Sequence, residues 1–82
     1  MSLTKQTLSH TFIKARETNS SFVFLAIVAE GTEEVVIPRR SFDAKEVFYN
    51  KAYNDELVHV MNSGVYIRGL CYGESSELNN IL

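Results

Sequence analysis

Eight consecutive apolar residues, FVFLAIVA at positions 22–29, limit the folds open to this chain more than any other feature. A strand with one face in water alternates apolar and polar side chains, and this run does not alternate. It therefore predicts a strand that is buried on both faces. One face would carry Phe22, Phe24, Ala26 and Val28, and the other Val23, Leu25, Ile27 and Ala29.

The segment before this strand, residues 3–18, favours a helix. Thr4 is a suitable N-cap residue, and Leu3 and Leu8 have the spacing of a hydrophobic staple around it. β-Branched residues in the same segment lower its helix propensity, so a strand at 10–16 is the alternative. The stripe expected to face the core consists of Leu8, Thr11, Phe12 and Ala15.

A hairpin and a second helix are predicted after the first strand. In EGTE, Gly31 suits the first position of a two-residue type II′ turn, which requires a positive φ, and residues 34–38 return as the second strand. The second helix is predicted over residues 43–54, because Asp43 is a good N-cap residue and Glu46 follows at the capping-box spacing.

Two further strands complete the predicted fold. They span residues 56–61 and 65–72, and Gly69 in the last strand is typical of a bulge or of a close backbone approach. Pairs of strands separated by a helix favour an antiparallel sheet. The order α-β-β-α-β-β therefore predicts an α+β fold, a small single domain over residues 1–82 with helices packed on a four-stranded, mainly antiparallel sheet.

The second face of the first strand requires a cover, either the helix at 3–18 or a second copy of the chain. With a single cysteine, these 82 residues have no disulfide to reinforce a small core, and one cysteine with two histidines forms no zinc pattern. Oligomerisation is the remaining common means of stabilising so small a domain, so the sequence favours a homodimer.

Composition and charge argue against several classes of function. A net charge of −2, from eight Lys and Arg residues against ten Asp and Glu, gives no field that attracts nucleic acid. No apolar run approaches the roughly 20 residues of a membrane-spanning helix. The single cysteine and the polar residues 1–21, which match no targeting segment, favour a cytoplasmic location. No metal or cofactor motif is present, so neither is expected.

Three arginines are candidate ligand-binding residues. Arg39 and Arg40 precede the second predicted helix, whose unpaired N–H groups favour anions. Arg68 is the only charged residue in VYIRGLCY. Together they would form a site for a small anionic ligand or a nucleotide. The favoured interpretation is a solvated connection, in which Asp43 occupies the helix N-terminus and pairs with an arginine.

The second predicted helix carries more apolar surface than one contact with a sheet requires. On a helical wheel Phe48 lies with Ala44 and Ala52 in the arc assigned to the core, and Tyr49 and Tyr53 lie at its margin. The homodimer interface is expected on a face of the sheet or on the aromatic side of this helix, with these three aromatic residues as candidates, because surplus apolar surface suggests a partner. The apolar tail adds Leu78, Ile81 and Leu82.

A catalytic role would centre on His59, which lies between two valines of the third predicted strand. Catalysis needs a partnered group, and no serine, cysteine or carboxylate stands at a family-like spacing from this histidine, so a half-buried structural role is favoured. Cys71 is likewise expected to be a small buried side chain.

A capped helix followed by two short strands resembles small bacterial and phage-borne proteins, and the resemblance implies no functional residue. We therefore expect a small cytoplasmic interaction module that is homodimeric, binds a protein partner and has no catalytic activity. One alternative is a module that binds an anionic ligand or nucleotide through Arg39, Arg40 and Arg68. The other is a minimal enzyme centred on His59.

Overall fold

A computed structural model describes residues 3–74 and contains two helices and a four-stranded sheet. The predicted α+β class and the order α-β-β-α-β-β are confirmed. In chain order the elements are helix α1 (Lys5–Glu17), strand β1 (Phe22–Val28), strand β2 (Thr32–Pro38), a 3-10 helix (Arg39–Ser41), helix α2 (Phe42–Ala52), strand β3 (Val58–His59) and strand β4 (Asn62–Gly73).

The strands lie in the order β2-β1-β4-β3, and every neighbouring pair is antiparallel. The apolar strand β1 is central and pairs along its whole length with both β2 and β4. Its register with β4 shifts between Ala26, which pairs with Gly69, and Ile27, which pairs with Ile67. Arg68 is the additional residue, so the bulge predicted at Gly69 is confirmed.

Strand β1 is buried on both faces, as predicted. Residues 23–26 are 0% exposed and Ile27 is 6% exposed. Both helices pack on the face that carries Val23, Leu25 and Ile27. Helix α1 therefore does not cover the opposite face, where Phe24 and Ala26 lie. The main core consists of Leu8, Phe12, Ala15, Val23, Leu25, Ile27, Ile37, Phe42, Tyr49, Tyr53, Leu57 and Ile67.

Helix α1 begins where the sequence predicts. The Thr4 hydroxyl accepts a hydrogen bond from the Thr7 N–H at 3.3 Å, and the Thr7 hydroxyl accepts one from the Thr4 N–H at 3.2 Å. This reciprocal pair satisfies two donors at the helix terminus, and Leu3 before the cap packs against the core. The predicted stripe is the buried one: Leu8, Thr11, Phe12 and Ala15.

The start of α2 differs from the prediction. Ser41, and not Asp43, is the N-cap residue, and it makes no side-chain capping hydrogen bond. The preceding 3-10 helix supplies a backbone acceptor instead, because the Phe42 N–H donates to the Arg39 carbonyl. Asp43 lies in the first turn of α2, where a carboxylate still interacts favourably with the helix dipole.

The buried face of α2 was also predicted wrongly. The arc assigned to the core was centred on Phe48, which is 55% exposed. The side chains that are buried belong to Phe42, Tyr49 and Tyr53. Phe42 is the first residue of the helix, and its ring packs edge-to-face on Phe12 with centroids 5.7 Å apart. This contact rotates the buried arc by about a third of a turn from the predicted one.

The hairpin between β1 and β2 has a three-residue loop, because Val28 pairs with Thr32. The Ala29 N–H donates to the Gly31 carbonyl at 2.8 Å across it. The positive φ is at Glu30, with a value of 65°, and not at Gly31. The type II′ prediction is therefore wrong: the left-handed residue is the middle one of a longer loop.

Replacing Glu30 with glycine is expected to raise the free energy of unfolding by up to about 1 kcal/mol, since a non-glycine residue is strained at this φ. The matched control is Gly31→Ala, which should cause no loss, because no heavy atom lies within 4 Å of where its Cβ would be. Urea unfolding of both variants tests this. A destabilised Gly31→Ala beside an unchanged Glu30→Gly would contradict the loop assignment.

Strand β3 is shorter than predicted. The sequence predicted a strand over residues 56–61, and only Val58–His59 pairs. The Asn54 side-chain oxygen accepts hydrogen bonds from the Glu56 N–H at 2.9 Å and the Val58 N–H at 3.0 Å. These bonds turn the chain before it can join the sheet, because an asparagine side chain competes with the strand for backbone donors.

Candidate functional site

Arg39 is bound to the C-terminal end of α1. Its guanidinium donates to the Ser20 carbonyl from Nε at 3.0 Å and to the Ala15 carbonyl from an Nη at 3.0 Å. The guanidinium carbon also lies 5.6 Å from the centroid of the Phe42 ring. The Ala15 carbonyl belongs to the last turn of α1, where carbonyls lack an intrahelical donor, so a cation is favourable there. Arg39 therefore joins the end of α1 to the start of α2.

The three predicted ligand-binding arginines do not converge on one position. Arg40 and Arg68 are exposed. Arg68 lies in the bulge of β4 beside Ile27, whereas Arg39 follows the residue that pairs with Phe22 at the other end of β1. Strand spacing separates them by about 15 Å along the sheet and about 10 Å across it. A ligand-binding role for any of them stays a prediction.

Arg16 is a central charged residue that the sequence analysis missed. One Nη of Arg16 lies 2.7 Å from Asp43 Oδ1 and 2.8 Å from Glu46 Oε1. The hydrogen bond to Glu46 is the largest cause of the raised pKa of Arg16. The two acids of the predicted capping box therefore pair with α1. No local sequence pattern predicts this contact, because the contact forms only when the end of α1 lies beside the start of α2.

Four rings form a continuous row from the surface of α2 to β3. Ring centroids are 5.0 Å apart for Phe48 and Tyr49, 5.9 Å for Tyr49 and Tyr53, and 5.2 Å for Tyr53 and His59. Tyr49 and Tyr53 are 6% and 4% exposed, so these two predicted interface residues belong to the core. The predicted tail residues lie outside the described part of the chain: Leu78, Ile81 and Leu82.

The two tyrosines of the row lie in an environment that disfavours their ionised form. Burial raises the pKa of Tyr49 above its ordinary value, and Tyr53 and Glu33 add to the shift. Burial also raises the pKa of Tyr53, with a further contribution from Glu33. A negative charge on either ring would be held away from water and close to a carboxylate.

Stability is expected to fall more steeply in alkali for the wild type than for Tyr49→Phe. A tyrosine whose pKa is raised in the folded state adds to the free energy of unfolding. This contribution is fully present below the pKa of the unfolded state, about 10, and is lost as the pH rises through the pKa of the folded state. Phenylalanine has no proton to lose. Urea unfolding from about pH 8 to about pH 11 measures the difference. Tyr72→Phe, at a ring that is 37% exposed, is the control and should follow the wild type.

His59 has a structural contact on each side. Its ring meets Tyr53 edge-to-face, and its Nδ1 accepts a hydrogen bond from the Met61 N–H at 3.1 Å. This bond closes the turn between β3 and β4. A general base needs a hydrogen bond to the group that it deprotonates, and Nδ1 is already taken by the backbone. The catalytic alternative stays a prediction.

The outward side of α2 carries a second surface with an apolar centre, which we call the outer stripe and which consists of Ala44, Val47, Phe48 and Lys51. These residues have the i, i+3, i+4, i+7 spacing of a single helix face. Val47 is 54% exposed and Phe48 is 55% exposed. Lys45 lies at the edge of this surface, with Nζ 5.4 Å from the centroid of the Phe48 ring. Phe48 is thus the predicted interface residue that the structure places on the surface.

Within residues 3–74, no three His, Cys, Asp or Glu side chains are grouped to hold a metal ion. Neither helix in that range is long and apolar enough to cross a membrane. Comparison of the chain with models of protein families, with curated proteins and with solved structures finds no match.

Proposed function

We propose that this protein is a small interaction module that acts by binding, as a homodimer formed through the outer stripe of α2, and has no catalytic activity of its own. The observation that carries the proposal is the exposure of Val47 and Phe48, 54% and 55%, side by side on one helix. The opposite arc of that helix already supplies the core. Large apolar side chains that stand together on a surface are typical of contact regions.

A two-fold axis through the middle of the outer stripe gives a self-complementary contact. Two copies of α2 that cross antiparallel bring Phe48 of each copy against Val47 of the other. The small Ala44 then faces Lys51 of the other copy, whose aliphatic stem can pack on it. The Lys51 ammonium extends toward Asp43 of that copy, whose side chain is 96% exposed. Apolar contact at the centre and opposite charges at the rim favour this arrangement.

The size of the chain supports assembly. An 82-residue chain buries a smaller fraction of its surface than a larger domain does, and its single cysteine offers no intrachain disulfide. A second copy adds apolar burial without a covalent link. We also propose a cytoplasmic location, because a lone cysteine is typical of proteins in reducing compartments.

Light scattering coupled to gel filtration tests the proposal. The wild type is expected to have the mass of two chains, and Phe48→Asp the mass of one. A charge in place of a buried aromatic anchor should raise the dissociation constant by about thirtyfold or more. The expected fold of Phe48→Asp is unchanged, since its ring lies outside the core.

The matched control is Val60→Asp, which adds the same charge at an apolar residue that is 56% exposed and lies outside the outer stripe. It should remain dimeric. A wild type with the mass of one chain over the whole range of protein concentration would contradict the proposal. A Phe48→Asp variant that dimerises as well as Val60→Asp does would also contradict the proposal.

A further inference from the structure

Strand β2 is an edge of the sheet, and its outer side is open. The strand order is β2-β1-β4-β3, so β2 pairs only with β1. Within residues 3–74, no other strand, loop or side chain forms a hydrogen bond with the outer side of β2. An edge strand of seven residues therefore offers a row of unpaired backbone N–H and C=O groups to an extended chain that reaches it.

The hydrogen-bond pattern between β1 and β2 shows which backbone groups face outward. At the hairpin end, the Ala29 N–H donates to the Gly31 carbonyl at 2.8 Å. At the other end, the Arg39 N–H donates to the Ser21 carbonyl at 3.0 Å. Bonded and non-bonded pairs alternate in an antiparallel ladder, so the odd-numbered residues of β2 bond to β1 and the even-numbered ones point outward. The outward residues are Thr32, Glu34, Val36 and Pro38, of which proline offers only its carbonyl.

The side chains along this edge are acidic toward the hairpin and apolar toward the other end. Glu33 lies on the helical side of the sheet, where it contributes to the raised pKa of the two tyrosines of the ring row. Glu34 lies on the opposite side, since successive side chains of a strand alternate faces. Both carboxylates are exposed, and neither forms an ion pair within the described residues. Val35 is half-buried, and Val36 is 45% exposed.

The charge of this edge favours a basic partner strand over a second copy of β2. A second copy would bring the same two carboxylates and no lysine or arginine, because the strand reads TEEVVIP. Opposite charges on neighbouring strands stabilise a sheet, and like charges destabilise it. Two adjacent basic residues of an added strand point to opposite faces, so they can face Glu33 and Glu34 at once. Apolar residues of the same strand would then lie beside Val35 and Val36.

We infer that the outer edge of β2 binds an extended segment of a partner protein that carries adjacent lysine or arginine residues and adds a fifth strand to the sheet. The outward backbone groups of β2 supply the affinity for a strand, and Glu33 and Glu34 supply the preference for a basic one. The inference rests on the proposed function in that it gives a partner to a module that acts by binding. It does not require the dimer, because the outer stripe contains no residue of β2.

The probe is the synthetic peptide TVTVKKT, whose lysines come opposite Glu34 and Glu33 when it pairs antiparallel with residues 32–38. Fluorescence anisotropy of the labelled peptide at low ionic strength measures its dissociation constant. We expect saturable binding to the wild type, and equal binding to Phe48→Asp, whose substitution lies outside β2. The peptide TVTVEET has the opposite charge in the same pattern and should not bind measurably.

Methylation of the peptide nitrogens distinguishes strand pairing from attraction between charges alone. Methyl groups on the third and fifth nitrogens remove the N–H groups that face Val36 and Glu34, so the dissociation constant is expected to rise by about tenfold or more. Methyl groups on the fourth and sixth nitrogens point away from β2, and that peptide should bind as the unmodified one does. The two methylated peptides carry the same charge and the same number of methyl groups.

A substitution on the protein tests the charge complementarity. Glu34→Lys is expected to raise the dissociation constant of TVTVKKT by about tenfold, because an attraction is replaced by a repulsion. Glu56→Lys makes the same change at an exposed residue outside β2 and should leave the value near that of the wild type. The peptide TVTVEKT, which places a glutamate opposite position 34, should bind Glu34→Lys more tightly than TVTVKKT does.

Equal dissociation constants for the two methylated peptides would overturn the inference, and so would the absence of binding to the wild type or equal effects of Glu34→Lys and Glu56→Lys. A dimer that persists in Phe48→Asp and is split by TVTVKKT would assign the edge to a second copy and would overturn it as well. The dimer proposal fails separately, since a wild type with the mass of one chain contradicts the dimer and leaves peptide binding unchanged.

Discussion

Phe42→Ala is expected to lower the free energy of unfolding by about 3–5 kcal/mol, the largest loss we expect from any substitution in α2. The Phe42 side chain is 2% exposed and packs on Phe12, which is 0% exposed. The Arg39 guanidinium carbon lies 5.6 Å from the centroid of the Phe42 ring. A chain of 82 residues has a total stability of about 4–12 kcal/mol, so the expected loss is about a quarter of it or more.

Phe48→Ala is the matched control, since it makes the same deletion on the same helix at a ring that is 55% exposed. The loss of monomer stability is expected to be below about 0.5 kcal/mol. Urea unfolding at several protein concentrations separates this value from any contribution of dimerisation, which depends on concentration. If Phe48→Ala lowers the free energy of unfolding more than Phe42→Ala does, the buried face of α2 is the one predicted from the sequence alone.

The contrast between these two phenylalanines shows why the face of α2 was mispredicted. The wheel covered only residues 44–54, and Phe42 was assigned to a position before the N-cap, so it did not contribute to the choice of the buried face. In the structure Phe42 is the first helical residue and an anchor of the core. Its partner Phe12 is thirty positions earlier in the chain, so the pattern within α2 contains no information about the contact.

Local signals predicted the parts of the fold that local interactions determine. The Thr4 cap and the buried stripe of α1 depend on neighbours within one or two turns. The two-sided burial of residues 23–27 follows from an uninterrupted apolar run, whatever covers each face. These predictions were confirmed.

The candidate site depends on contacts between distant segments, and sequence patterns did not predict it. Arg39 was considered as a ligand-binding residue, and the structure shows that its guanidinium binds carbonyls at Ala15 and Ser20. Asp43 was expected at a helix cap and pairs with Arg16. For both residues the sequence correctly indicated a charged side chain that needs a partner. The identity of the partner follows only from the packing of α1 against α2.

Leu57 combines a strained backbone with a fully buried side chain. Its φ is 61°, a conformation that costs a non-glycine residue about 1–2 kcal/mol, and its side chain is 0% exposed. The Leu57 N–H donates to the Asn54 carbonyl at 2.9 Å, and the Leu57 carbonyl accepts from the Ile67 N–H at 2.9 Å. Side-chain burial and these two hydrogen bonds hold the residue in the left-handed region.

Substitutions at Leu57 should therefore reverse the usual order of alanine and glycine. Leu57→Ala is expected to lower the free energy of unfolding by about 2–5 kcal/mol, because it leaves a cavity and keeps the strain. Leu57→Gly loses the same packing but relieves the strain, so it should be as stable as Leu57→Ala or up to about 1 kcal/mol more stable.

The control pair is Leu8→Ala and Leu8→Gly, at a leucine of α1 that is also 0% exposed. There the backbone is helical, and glycine should be the less stable replacement by about 1 kcal/mol. Urea unfolding of the four variants gives the two differences directly. If glycine is less stable than alanine by the same amount at both leucines, the left-handed conformation of Leu57 carries no strain, and the turn at Asn54 is held by its side-chain hydrogen bonds alone.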